Sequence, residues 1–293
     1  MVDNIDLKSY AKINLTLDVL AKRKDGYHEV EMIMQTIDLS DKLSFSKIKK
    51  GIEIITDHPD VPTDNSNLIY KAAKMLFGEF SICEGIRVNL TKRIPVAAGL
   101  AGGSSNAAAT LVAINQLWGL NLSKEELATR AADLGADIPF CINGGTQLAT
   151  GIGTELKILD QAPEIYLVLV NPPFEVSTAE VYGNLDLHKI NIYPNKDKVL
   201  EGLKDKRSDL IIKWSSNLLE NVTLKRYPDV KRLKEKVDSL TSKALMSGSG
   251  PTVLGFVRGI KEANKVKNIL EQELDNKHHI VVTKTNNKGI EEI

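Results

Sequence analysis

The segment PVAAGLAGGSSNAA, residues 95–108, constrains this chain more than any other. It follows IRVNL, residues 86–90, which alternates as a strand, and runs into a helical pattern that Gly119 closes. Strand, glycine loop and helix in that order place helix-terminal N–H groups at the loop. Gly99, Gly102 and Gly103 let the backbone come close to a ligand, and the helix N-terminus adds partial positive charge. The hydroxyls of Ser104 and Ser105 complete a site that takes a phosphate without a lysine. The same residues also read as a glycine-rich turn with a serine N-cap, and the pattern alone leaves both readings open.

Other chemistries are excluded by inspection. The chain has no GxxxxGK[ST], no GxGxxG after a strand, and neither HRD nor DFG, so it is not a P-loop NTPase, a Rossmann protein or a protein kinase. A GxSxG elbow fails at Ser104, where Asn106 stands in place of glycine, and at Ser249, where Ser247 does. His28-Glu29 has no second histidine to make HExxH, and His58, His188, His278 and His279 are scattered in polar surroundings. Cys83 and Cys141 form neither a disulfide framework nor a CxxC site, which suits a reducing compartment. With 38 basic and 38 acidic residues the net charge is zero, so no long-range field draws the chain to nucleic acid or anionic lipid. No apolar run approaches the roughly 18 residues needed to span a bilayer, and residues 1–15 resemble neither a secretory signal nor a transit peptide. A soluble cytoplasmic protein is the expectation, and 293 residues suggest two packed domains.

KSYAKINLTLDV, residues 8–19, alternates as a strand, with Ile13, Leu15, Leu17 and Val19 on one face and Lys12, Asn14, Thr16 and Asp18 on the other. A turn centred on Asp25-Gly26 and the strand-like VEMIMQTIDL follow, leaving Tyr27 and His28 at their junction. Asp64–Asn67 offers N-caps for the helix LIYKAAKMLF, and Ser123 with Glu126 forms a capping box for ELATRAADL, which Gly135 stops just before Asp137. Two short β segments, GGTQLATGIGTELKIL, and a buried strand, EIYLVLVNPP, place a domain boundary near residue 155: residues 1–155, then 156–293. Helical patterns cover 211–224 and 229–240, SKALMSGSGPTVLGFV reads as strand-loop-strand, and the chain closes on helix then strand. Two α+β domains result.

The loop PVAAGLAGGSSNAAATL, together with AKINLTLDVLAKRKDGYHEVEMIMQTIDLSD, LGADIPFCINGG and SGSGPTVLGFV, resembles the GHMP small-molecule kinases. These segments span most of the chain in the expected order. The resemblance implies a ribosomal-S5-like N-terminal domain, a ferredoxin-like C-terminal domain, ATP arriving with Mg²⁺, and a phosphate loop of Pro95, Gly99, Leu100, Ala101, Gly102, Gly103, Ser104 and Ser105. Ala97 and Ala101 stand where many relatives have glycine, and alanine fits there only if φ stays below zero.

The loop alone suits galactokinases, homoserine kinases and mevalonate kinases equally; KINLxL…DGYHEVEM is the discriminator. It is similar to the branch of the family whose acceptor is a methylerythritol carrying cytidine diphosphate, phosphorylated at its 2-hydroxyl on the non-mevalonate isoprenoid route. That resemblance puts Tyr27 and Tyr182 at the cytosine faces, with Phe174 as the alternative to Tyr182, and His28 on the base edge. It makes Asp137 the proton acceptor, Lys12 its partner and Asn14 an orienting residue. SGSG, residues 247–250, faces the phosphate end, and Gly151 and Gly153 are structural. Oligomeric state, monomer or homodimer, stays open. The rivals are a homoserine or mevalonate kinase, a silent ATP sensor, against which Lys12 with Asp137 argues, and an RNA binder, which the zero net charge weakens.

Overall fold

The computed structural model describes residues 3–293. Two long antiparallel strands open the chain, β1 (Asn4–Lys22) and β2 (His28–Ile48), joined by the turn at Gly26, whose φ is 90°. There follow β3 (Ile52–Thr56), α1 (Leu68–Glu79), β4 (Gly85–Thr91), α2 (Gly102–Leu117), α3 (Lys124–Ala131), α4 (Ile138–Asn143), β5 (Thr146–Thr150) and β6 (Glu155–Ile158). The second part holds β7 (Tyr166–Asn171), α5 (Thr178–Gly183), α6 (Lys196–Lys204), α7 (Ser208–Trp214), β8 (Ser216–Asn217), α8 (Glu220–Arg226) and α9 (Pro228–Leu240). It ends with β9 (Lys243–Met246), β10 (Val253–Val257), α10 (Ile260–Glu273), β11 (His279–Lys284) and β12 (Ile290–Glu292). Strand β3 had no counterpart in the sequence reading.

The strands form two sheets. One runs β12-β1-β2-β4-β3, with β5 and β6 continuing from β2 and β8 parallel to β1. The other is the antiparallel β11-β7-β10-β9, a ferredoxin-like order in which α9 and α10 pack close to its strands. That second sheet lies wholly beyond residue 155, while β8 and β12 return across that point to pair with β1.

Strand β1 is buried on both sides because each side meets a different core. Ile13 and Leu15 join Ile33, Leu167, Leu254 and Phe256 between the two sheets. Leu17 and Val19 join the helix-side core with Leu76, Leu111 and Phe140. The single apolar face expected for residues 13–19 is therefore wrong. A register shift between Asn14 and Thr16 in the pairing with β2 inserts an extra residue and exchanges the faces, as a β-bulge does. The expected helix over 211–224 is also corrected. It breaks into α7 and α8 around β8, where the Asn217 amide donates to Met246 O at 2.8 Å and Gly248 O at 2.7 Å. Those tertiary bonds outweigh a helical spacing that runs straight through the break.

The helix caps form as expected: Asn67 accepts from Ile69 N at 2.8 Å, and Ser123 with Glu126 completes a capping box. Helix α2 is Ala-rich and buried over most of its surface. Small side chains let it lie close against β1, α1 and α4, which brings its N-terminus to the sheet.

Candidate active site

The glycine-rich loop bridges β4 and α2. Ala97, Gly99 and Ala101 have φ values of 52°, 73° and 56°, so the expectation that both alanines keep negative φ is overturned. Left-handed residues at alternate positions build the kind of concave turn that collects backbone N–H groups on one side, at about 1–2 kcal/mol for each alanine. Ala101 is the N-cap of α2 and supplies no side-chain cap, so the first N–H groups of the helix have no side-chain acceptor there. A Cβ on Gly99 would lie 2.4 Å from Ser247 O, and Ser247 Oγ donates to Gly99 O at 3.0 Å. Only glycine allows that backbone contact, which joins SGSG to the phosphate loop.

The loop residues divide by role. Gly99, Ala101 and Ser104 line both a cavity of about 730 Å³ and a neighbouring one of about 340 Å³; Pro95, Gly102 and Gly103 line the smaller alone. Leu100 is buried, and its carbonyl accepts from Lys12 N at 3.1 Å, tying the loop to β1. Ser105 is placed elsewhere than expected. It is fully buried under the loop, with Oγ donating to Tyr10 O at 2.7 Å, so its hydroxyl faces no ligand.

Beneath the loop lies a buried ion pair that the sequence reading missed. Asp41 accepts from Lys92 Nζ at 2.5 Å, Asn106 Nδ2 at 2.8 Å, Arg93 N at 2.7 Å and Ile94 N at 2.8 Å. One carboxylate thus holds the end of β4 and the first turn of α2. Burial pulls the Lys92 ammonium below its ordinary range, although Asp41 opposes the shift. No local motif marks this pair, because its members lie 51 residues apart.

Lys12 and Asp137 meet at the cavity floor. Lys12 Nζ is 3.7 Å from Asp137 Oδ2, with side-chain exposures of 7% and 34%. Lys12 also donates to Asn14 Oδ1 at 3.1 Å, so the two residues share a face of β1. Asp137 sits at the N-cap of α4 yet makes no capping bond. Its carboxylate is therefore free for another task, unlike that of an ordinary capping aspartate. Cys141 lies behind it, and burial, reinforced by the Asp137 charge, pushes its thiol up out of reach of ionisation.

Tyr27, His28 and Tyr182 line the same larger cavity. His28 and Tyr182 face each other with ring centroids 5.1 Å apart and planes tilted by 43°. Burial, aided by the nearby Lys22 charge, lowers the His28 pKa and favours the neutral ring. Burial, then the Asp137 charge, pushes the Tyr182 phenol up to about 12. Tyr27 is 63% exposed at the rim. Phe174 packs against the core and lines neither cavity. On the wall of the same cavity the hydroxyls of Thr178 and Ser249 lie 2.7 Å apart, a pair that nothing in the sequence pattern announced.

The models of the GHMP kinase N-terminal and C-terminal domains match residues 67–145 and 199–276, more than half of the chain. The chain belongs to the GHMP kinases. It is an ATP-dependent small-molecule kinase, with the two-domain α+β fold of that family. It is 47% identical over 267 residues to 4-diphosphocytidyl-2-C-methyl-D-erythritol kinase of Geobacillus kaustophilus, covering 90% of this chain and 92% of the relative. The kinase of the same name from Clostridium botulinum is 46% identical over 262 residues, 89% of this chain and 94% of the relative. A crystal structure of 4-(cytidine 5'-diphospho)-2C-methyl-D-erythritol kinase superposes with a TM-score of 0.82 at 29% identity, over 96% of this chain and all of that one. No helix among the described residues is long and apolar enough to cross a membrane.

Proposed function

We propose that this GHMP kinase transfers the γ-phosphoryl group of ATP to the 2-hydroxyl of 4-diphosphocytidyl-2-C-methyl-D-erythritol. The observation that carries the proposal is one cavity of about 730 Å³ lined both by the Lys12–Asp137 pair and by the rings of Tyr27, His28 and Tyr182. A shorter acceptor such as homoserine or mevalonate leaves Tyr27, His28 and Tyr182 without a task. The Geobacillus and Clostridium kinases to which the chain is similar act on this cytidyl alcohol, by their names.

In this reading the base lies between Tyr27 and Tyr182, whose faces suit a π-system, and neutral His28 offers one donor and one acceptor to its edge. Asn14 orients the alcohol through its contact with Lys12. Phosphoryl transfer is largely a matter of positioning and charge. The acceptor oxygen forms a bond to the γ-phosphorus as the bond to the β–γ bridging oxygen breaks, and the electron pair leaves with ADP. The hydroxyl proton passes to Asp137, and Lys12 stabilises the negative charge that develops on the acceptor and γ-phosphate oxygens. The bare N-terminus of α2 and the left-handed loop hold the phosphates.

Mg²⁺ fits the donors present. No cluster of three or more His, Cys, Asp or Glu side chains that could hold a metal exists among the described residues, and Mg²⁺ on a nucleotide needs only one or two protein oxygens. Ser104, on the cavity wall, is the candidate, and the ion when bound neutralises phosphate charge. The protein works on a small molecule without nucleic acid or membrane as a partner, in the cytoplasm.

The test is ADP release with Mg²⁺-ATP and each of three alcohols: the cytidyl alcohol, homoserine and mevalonate. Selective turnover of the first supports the proposal. Turnover of either other alcohol in preference to it removes the assigned base pocket, and ATP binding without turnover of any of them favours a sensor.

A further inference from the structure

Residues 285–292 line neither of the two cavities at the site, yet they brace both walls of the larger one. Asn286 N donates to Thr36 O at 2.8 Å, and Gln35 Nε2 donates to Asn286 O at 2.8 Å. Strand β12 then pairs with Leu7–Ser9 of β1, and the Tyr10 hydroxyl donates to the Glu291 carboxylate. This fixes β1 three residues before Lys12. Ser9 Oγ and Tyr10 O in turn accept from Asn106 and Ser105 at the start of α2, at 2.8 and 2.7 Å.

The other wall is held by Gly289. A Cβ there would lie 2.7 Å from Ile142 O and 2.8 Å from Cys141 O, the last carbonyls of α4. The contact is reciprocal, since a Cβ on Gly144 would lie 2.2 Å from Gly289 N. Helix α4 is six residues long and carries Asp137 at its N-cap. At a rise of about 1.5 Å per residue its far end lies only about 9 Å from that carboxylate. So short a helix moves as a body, and displacement at Ile142 reaches Asp137.

We propose that residues 285–292 are a strap that sets the separation of Lys12 and Asp137, with Gly289 as its positioning residue. The inference rests on the reading of that pair as the reacting groups. Carbon–oxygen contacts settle near 3.3 Å, so a methyl group at Gly289 pushes α4 by about half an ångström. Misplacement of reacting groups by about 1 Å costs on the order of a hundredfold in rate, so half that shift costs about tenfold. Neither Ile142 nor Cys141 lines a cavity at the site, so of the groups shifted by that contact the one on the cavity wall is Asp137, not the aromatic rings or the glycine-rich loop.

The experiment compares Gly289→Ala, Tyr10→Phe and Asp137→Asn in steady-state kinetics with Mg²⁺-ATP and the cytidyl alcohol. The expected result is a kcat about tenfold lower in Gly289→Ala and about threefold lower in Tyr10→Phe, with both KM values within about twofold of the unsubstituted enzyme. An unchanged kcat in folded Gly289→Ala overturns the strap, as does a joint change in kcat and both KM, which a general loss of structure produces. Where Gly289→Ala does not fold, Tyr10→Phe decides, and its kcat unchanged overturns the strap as well. Turnover retained in Asp137→Asn marks a different failure: the pair is then not the reacting pair, and the strap has nothing to position.

Discussion

Replacing Asp41 by asparagine tests what holds the phosphate loop in place. The amide keeps one oxygen for Arg93 N and Ile94 N but removes the charge opposite Lys92, in a site where Asp41 is wholly buried. Breaking a buried pair from one side costs about 3–5 kcal/mol. The lower end applies here, because Lys92 already sits below its ordinary range and can shed its proton. Unfolding entropy of about 2.1 cal/mol/K per residue gives roughly 0.6 kcal/mol per degree for 293 residues, so about 3 kcal/mol lowers Tm by about 5 °C at pH 7. The pH dependence has a definite sign. A lysine whose folded pKa lies below 10.5 leaves the unfolded chain binding more protons between the two values, so stability rises with pH in that window. In Asp41→Asn both contributions by which Asp41 raises the Lys92 pKa are gone, so the window reaches lower and the deficit shrinks as pH rises toward 10.5. Calorimetry of both proteins across that range is the assay. A deficit below about 1 kcal/mol at pH 7, or one that widens with pH, would falsify the account of the pair.

Three further outcomes follow from the same geometry. Asp137→Asn lowers kcat by about a thousandfold while ATP still raises Tm, because the general-base contribution is lost and the phosphate loop is not; single-turnover kinetics and a thermal shift with ATP check this. Tyr182→Ala raises KM for the cytidyl alcohol by about tenfold, the equivalent of about 1.4 kcal/mol of stacking, and leaves KM for ATP within about twofold. Equal rises in the two constants count against its place at the base. Ala101→Gly stays within about 1 kcal/mol of the parent in a melting experiment, since relief of the left-handed strain offsets the freer unfolded chain, whereas the β-branched Ala101→Val loses about 2 kcal/mol.

The local chemistry was legible in the residues because it is contiguous. A glycine loop between a strand and a helix, a capping box at Ser123 and Glu126, and alternation along 8–19 are each short-range signals. The site residues Lys12, Asn14, Tyr27, His28 and Tyr182 were named through resemblance, and the fold brings all five to one cavity with Asp137. What escaped the reading was non-local. The Asp41–Lys92 pair, the Thr178–Ser249 hydroxyls and the Gly144–Gly289 contact join residues 51, 71 and 145 positions apart. No periodicity encodes such a pairing.

By itself the sequence determined most of the elements, the glycine-rich turn between β4 and α2 and the kinase family, because turn chemistry, caps and hydrophobic period act over a few residues. Tertiary structure alone decided the rest. The β-bulge after Asn14 lets one strand feed two cores while Lys12 and Asn14 stay together. Ala97 and Ala101 adopt left-handed φ, and Asp137 is left uncapped and 3.7 Å from Lys12. Each of these costs something locally and persists only because contacts distant in sequence outweigh that cost. Such a balance is set in the folded core, where no window of consecutive residues can register it.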